Sequence, residues 1–271
     1  MKTVRNAINI LNTFTAEKPE RSLTEVSRIV GIDKVIVHRQ LKTMKEMNLV
    51  EQDIDTKRYR LGVGIAKLAA VRRSHIRPLN FASERLLQVR NKIDETVHLS
   101  QLEGDLIIVT NVSLCTSDLR VVMAVGEMLP AYCTAPGLLF LSFGNAHFRN
   151  MALSGRLRSR ASHTITDRDK IESLLPAIKK DGIAVVDQTY SDQAKGISAP
   201  IFNARGEIVA AVTVLGPSFR LHGKIEERAK TLIMQAASNF SKDQGYDPEI
   251  ANFDGPGELE IDEGWNQDDR V

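Results

Sequence analysis

Asp33-Lys-Val-Ile-Val-His-Arg-Gln-Leu-Lys-Thr-Met-Lys-Glu-Met47 is the stretch from which the rest of the chain reads outward. Val37, Leu41 and Met44 recur at helical spacing, so the segment predicts a helix with one buried stripe. Asp33 stands where a carboxylate can accept from the first unpaired amides of that helix. The other faces carry Lys34, His38, Arg39, Lys42 and Lys45, cations and donors that a phosphate backbone attracts. Charged helix faces are usually just solvated, so the neighbouring sequence has to decide.

Upstream, Val4, Ala7, Ile8, Leu11 and Phe14 predict a first helix that the Glu17-Lys-Pro-Glu20 segment ends. Ser22-Leu-Thr-Glu25 has the form of a capping box, with Leu23, Val26, Ile29 and Val30 as the apolar face behind it. Gly31 suits a left-handed stop, and Ile32-Asp33 turn the chain into the next helix. The result is helix, short turn, helix. Downstream, Leu49–Glu51 and Tyr59–Leu61 can pair as a hairpin, a wing that carries Lys57 and Arg58 near its tip. The expected DNA contacts are therefore Ser22, Lys34, Val35, Ile36, His38, Arg39, Lys42, Lys57 and Arg58.

Charge follows the same division. Residues 1–75 hold 15 Lys+Arg and 8 Asp+Glu, a net of +7, whereas residues 243–271 hold 1 basic and 10 acidic residues, a net of −9. One end suits an anion, and the other could compete for it. With 271 residues, 42% hydrophobic and 26% charged, the chain has the length of about two domains. It lacks an apolar run of membrane-spanning length and a signal-peptide pattern, which makes a cytoplasmic location the default expectation. Two cysteines, Cys115 and Cys133, are too few for a disulfide framework or a zinc knuckle and read as buried thiols.

A helix from Gly62 to Ile76 is expected to link the domains, interrupted by Pro78. Beyond it the pattern is mixed. Strands are expected at Val97–Leu102, Leu106–Val112, Leu119–Val125, Ala184–Asp187, Gly196–Phe202 and Ile208–Leu215, with helices at Ala135–Phe143, Ile171–Asp181 and Lys224–Phe240. Gln244 to Val271 is acidic and aperiodic and predicts disorder, with Trp265 as a local anchor. The division is 1–62 for DNA binding, 63–77 for the linker, 78–242 for an α+β domain on an antiparallel sheet, and 243–271 for the tail.

This order of elements resembles the IclR family of bacterial transcriptional regulators. The matching motifs are Gly31-Ile-Asp-Lys34 with Val37-His38-Arg39, Tyr59-Arg60-Leu61-Gly62, Leu129-Pro-Ala-Tyr-Cys-Thr134 with Gly137, Asp181-Gly182, Ala199-Pro200-Ile201, Gly206 with Val209-Ala-Ala211, and Gly216-Pro217. The resemblance implies a winged helix-turn-helix, a GAF-like effector-binding domain, and dimers or tetramers on palindromic operators. The Leu129–Thr134 loop looks most like members that regulate aromatic-acid and β-ketoadipate catabolism. It also maps an effector pocket onto Thr134, Ala135, Pro136, Gly137, Leu138, Asp187, Gly196, Thr213 and Leu215.

Departures from the family pattern refine the expectation. Val35 and Ile36 replace hydroxyl residues, and they either meet thymine methyls or turn partly into the protein. Leu138 and Leu215 replace a cation and a hydroxyl, so the effector is expected to be aromatic or largely apolar. Its carboxylate would be held by amides near Ala135–Leu138 at a helix N-terminus. A domain that only dimerises is the alternative. An enzyme is disfavoured, because no nucleophile elbow, phosphate loop or metal-ligand cluster occurs; His98, His147, His163 and His222 are scattered and read as surface or satisfied side chains. Asp94-Glu95 and Glu226-Glu227 read as charge at element ends or on solvent faces. No cofactor is expected.

Overall fold

The structure is a computed structural model that describes residues 2–15, 18–74, 82–104 and 106–247. The chain divides into two compact units at Pro78. In the first, α1 (Lys2–Leu11), α2 (Leu23–Val30) and α3 (Lys34–Glu46) surround a core of Ile10, Phe14, Val26, Val37, Leu41 and Met44. Val50 and Tyr59, from β2 (Val50–Gln52) and β3 (Tyr59–Leu61), close that core. A short β1 (Glu20–Arg21), which the sequence did not suggest, pairs with β3 to make a three-stranded sheet in the order β1-β3-β2. The linker helix appears as α4 (Val63–Ser74) and falls within this unit. The expected end of that helix and the Pro78 break lie outside the described residues.

The second unit is built on a six-stranded antiparallel sheet of β4 (Thr96–Glu103), β5 (Leu106–Ser113), β6 (Met128–Leu129), β7 (Ala184–Asp187), β8 (Ala194–Phe202) and β9 (Ile208–Pro217). Its order is β6-β5-β4-β9-β8-β7. Alternation along each strand gives the sheet two buried faces. On one, Val97, Leu99, Ile197, Ala199, Ile201, Val212 and Val214 pack against α5 (Ala82–Ile93) and α9 (Gly223–Asp243). On the other, Ala211 and Leu215 join the core of α6 (Ala135–Phe143) and α8 (Arg168–Asp181), with Phe148 from α7 (Ala146–Ala152).

Two expectations are corrected. Leu119–Val125 forms no strand; the segment is irregular and is tied to the sheet by Arg220 donating to the Leu119 carbonyl and Thr96 Oγ1 donating to the Val121 carbonyl. The edge strand is the two-residue β6 instead. Glu95 is not solvent-facing: it is 1% exposed and forms a two-pronged ion pair with Arg220. Burial without that guanidinium would leave an uncompensated charge. At the start of the expected tail, Tyr246 packs on Phe202 with ring centroids 5.2 Å apart. Residues 248–271, including Trp265, lie outside the described residues.

Candidate functional site

The α2 capping box is present in full. The Ser22 hydroxyl accepts from the Glu25 amide, and the Glu25 carboxylate accepts from the Ser22 amide at 2.8 Å. Those hydrogen bonds hold the Glu25 carboxyl below its ordinary pKa. Gly31 adopts φ +66°, and Asp33 accepts from the Val35 amide at 2.8 Å to start α3.

In α3, Val37, Leu41 and Met44 are buried. Lys34, His38, Arg39, Lys42 and Lys45 are all exposed, and the four cations make no ion pair with any described residue. Val35 is 76% exposed and stands in solvent, whereas Ile36, at 39%, turns partly into the protein.

The wing winds around one carboxylate. Asp53 accepts from the Thr56 amide at 2.7 Å and its hydroxyl at 2.9 Å, which keeps the Asp53 pKa low. Lys57 sits in the left-handed region at φ +57° and is exposed, its ammonium 2.5 Å from the Ile54 carbonyl. Arg58 is different. It was expected near the tip, but its guanidinium donates to Glu25 at 2.9 Å and to the Glu20 carbonyl at 3.3 Å, joining the wing to the start of α2. Ser22 likewise has both its amide and hydroxyl engaged by Glu25.

In the second unit, Thr134 caps α6: its hydroxyl donates to the Pro130 carbonyl at 2.7 Å and accepts from the Gly137 amide at 3.3 Å. A Cβ on Gly137 would lie 2.3 Å from the Ala131 carbonyl oxygen, so only glycine allows α6 to approach the preceding 3-10 turn (Ala131–Cys133) this closely. The amides expected to grip a carboxylate are largely occupied. Pro136 has none, that of Gly137 goes to the Thr134 hydroxyl, and that of Leu138 goes to the Thr134 carbonyl at 3.0 Å. The helix dipole at this end still favours negative charge.

Thr134, Ala135, Pro136, Gly137 and Leu138 are all buried. Ala135, Gly196 and Leu215 converge. A Cβ placed on Gly196 would meet the Val186 methyl at 3.5 Å, the Ala135 Cβ at 3.6 Å and the Leu215 methyl at 3.9 Å, ordinary contact distances. Thr213 lies on the same sheet face, where its hydroxyl shares a 2.9 Å hydrogen bond with that of Ser198. Asp187 does not join them. Val186 pairs with Gly196, so Asp187, pairing with Lys195, falls to the opposite face. There it accepts from the Ser218 hydroxyl and lies 3.8 Å from Lys195, which donates to Glu226 of α9 at 2.5 Å. Burial works to raise the Glu226 pKa, but Lys195 and Lys230 outweigh it and hold it below the usual range.

One residue was misread: His98 is neither a surface side chain nor a satisfied one among the described residues. His98 is 1% exposed, and neither ring nitrogen has a hydrogen-bond partner among the described residues. It pairs directly with Thr213 across β4 and β9. Burial lowers its pKa to about 4, so the imidazole is neutral at physiological pH. Ser100, two residues along the same face, also has a buried hydroxyl without a partner. Cys115 and Cys133 are free and buried, with the Cys133 thiol pushed up to about 11 by burial. No group of three potential metal ligands occurs, and no helix is long and apolar enough to cross a membrane, among the described residues.

Two family profiles match the chain in order, the IclR helix-turn-helix domain over residues 3–53 and the bacterial transcriptional regulator IclR C-terminal domain over residues 68–242. A helix-turn-helix-type transcriptional regulator of Mycobacterium tuberculosis is 30% identical over 86% of this chain and 89% of its own length. The Pca regulon regulatory protein of Pseudomonas putida is 25% identical over 89% of this chain and 83% of its own. Among solved structures, the Thermotoga maritima IclR superposes with a TM-score of 0.76 at 22% identity, covering 91% of this chain and all (100%) of that one. An IclR homologue from Microbacterium hydrocarbonoxydans, complexed with 4-hydroxybenzoate, superposes at 0.75 and 21% identity over 90% and 99%. These curated relatives are regulators, not enzymes. With both profiles in sequence order and the helix-turn-helix in place, the chain belongs to the IclR family of bacterial transcriptional regulators.

Proposed function

We propose that this regulator reads its operator through α3 and is controlled by a small, largely apolar aromatic carboxylate bound between α6 and the sheet of the second unit. The observation that carries the DNA half is the exposed face of α3, where four cations lack ion-pair partners among the described residues and Val35 stands open beside them. Arg39, His38 and Lys34 supply polar readout, Val35 and Ile36 meet thymine methyls, and Lys42 and Lys57 meet phosphates. Two copies placing α3 in successive major grooves would select a palindromic site.

For the effector half, the meeting of Ala135, Gly196 and Leu215 supports an apolar ring seat beside the start of α6. There the dipole favours the carboxylate. The homologue solved with 4-hydroxybenzoate shows a ligand of this size accommodated on the same fold. A ligand with different affinity for the DNA-competent and incompetent states would shift the population between them.

Gel retardation of the fragment upstream of the protein's own gene, against random duplex at moderate salt, tests the DNA half. Specific retardation is expected, with Arg39→Glu abolishing it. Equal retardation of both fragments by the wild type, or an unaffected Arg39→Glu, would remove α3 from the groove. Thermal-shift measurements with benzoate and its hydroxylated relatives test the effector half.

A further inference from the structure

From Met128 to Thr166 the sequence has no acidic residue, yet it carries four arginines and two histidines. Three of those arginines fall in Arg156-Leu-Arg-Ser-Arg160, between α7 and α8. Leu157 packs against the core around α6, while Arg156, Arg158 and Arg160 are exposed and make no ion pair with any described residue. The segment is held in place. The Thr164 hydroxyl accepts from the Arg160 and Ala161 amides at 3.0 and 2.8 Å, and the Tyr132 hydroxyl donates to the Arg158 carbonyl at 2.7 Å. The Arg160 guanidinium lies over the Tyr190 ring, 5.3 Å from its centroid. Of the carboxylates around this loop, Asp192 accepts from the Ser162 amide at 2.6 Å and Glu127 from the Ala124 amide at 3.2 Å. Like charges fixed this close repel one another and favour an anion that can span them.

We propose that Arg156, Arg158 and Arg160 are the docking site of this chain's own acidic segment, Glu258-Leu-Glu-Ile-Asp262. The two runs have complementary patterns. Each carries charge at every second position, arginine in one and carboxylate in the other, with Leu157 and Ser159 as spacers in the first and Leu259 and Ile261 in the second. In extended chain such positions share one side and recur about every 7 Å, so three guanidiniums and three carboxylates come into register together. Position fits as well. The described chain ends at Asp247, one residue past Tyr246, whose ring packs on Phe202, and Phe202 in turn meets Phe143 at the close of α6. Arg158 and Arg160 stand at the other end of α6, beside Tyr132 of the 3-10 turn that precedes it. The 9 residues of α6 span about 13 Å. The 10 residues between Asp247 and Glu258 reach about 18 Å as a coil and about 36 Å extended. Ion pairs at an exposed surface are individually weak. The tether makes their encounter intramolecular, so docking is populated at low salt and lost as ionic strength screens it.

Trp265, the only tryptophan in the sequence, follows closely after Asp262 and reports on the segment. Acrylamide quenching of its fluorescence in the full-length protein, with a free peptide of residues 258–271 as reference, tests the proposal. At low salt the full-length protein is expected to be quenched less than the peptide, and at about 0.5 M salt to match it. Arg156→Glu combined with Arg158→Glu should give the peptide value at low salt too. Adding Glu258→Lys, Glu260→Lys and Asp262→Lys to that pair should bring the shielding back, a rescue that damage to the fold would not permit. Lys34→Glu, Arg39→Glu and Lys42→Glu together in α3 should leave the shielding as it is. Wild-type quenching equal to the peptide's at low salt, or shielding that survives the arginine reversal, overturns the proposal. Loss of shielding on reversing the α3 cations instead would assign the segment to the DNA-binding unit and overturns it as well. If the arginine reversal weakens binding to random duplex while the shielding stays, the loop contacts DNA and the proposal falls.

Discussion

His98 is where a single side chain says most about this molecule. Its folded pKa of about 4 lies below the ordinary 6.5 of histidine. Between those values the unfolded chain binds a proton that the folded chain refuses, so the contribution to stability is complete above about pH 6.5 and is lost as pH falls toward 4. Over that window the wild type is expected to lose about 3 kcal/mol more stability than His98→Phe. Urea denaturation of both proteins at pH 7, 5.5 and 4 measures the difference, and parallel losses would mean that the imidazole ionises in place. The sequence did not disclose this residue. Val97-His-Leu-Ser-Gln alternates as a strand with one wet face would, but here helices cover both faces. Asp187 erred the other way: resemblance assigned it to the effector, while strand alternation carried it to Lys195 and Ser218.

Among elements, α3 was the most readable, because an amphipathic helix with a cap, a glycine stop before it and a 3.6-residue stripe writes its geometry into composition. Its bounds, Lys34–Glu46, fall within the segment that predicted it. The run Leu119–Val125 misled for a related reason. Its β-branched, apolar residues suit a strand, yet Leu119, Val122 and Val125 are exposed and the segment is held by scattered side-chain bonds from Thr96 and Arg220. No local pattern encodes anchors more than twenty residues away in sequence. Helix α7 escaped notice because it spans only 7 residues and buries only Phe148. In the wing, Lys57 is the exposed cation and Arg58 the structural one. Lys57→Ala should therefore weaken binding about equally to operator and random duplex and reduce the salt slope by about one. Fluorescence anisotropy across a salt series reads this, and a loss confined to one base position would contradict a phosphate contact.

For the whole chain, the fold class followed from periodicity together with the family resemblance, whereas the interior of the second unit did not, because it depends on which strand faces which. Charge supplies a further expectation. The chain carries a formal +2, of which residues 248–271 account for −7. Deleting that segment should tighten binding to random duplex several-fold at low salt, with the gain vanishing as ionic strength rises. Unchanged affinity at low salt would show that the tail does not screen the DNA-binding surface. The Arg58–Glu25 bridge has its own evolutionary cost. A guanidinium that fastens a hairpin to a helix start leaves the two features little freedom to drift separately. A lineage acquiring a new operator would have to re-space both together, or give up this bolt first and accept a looser wing in the interim.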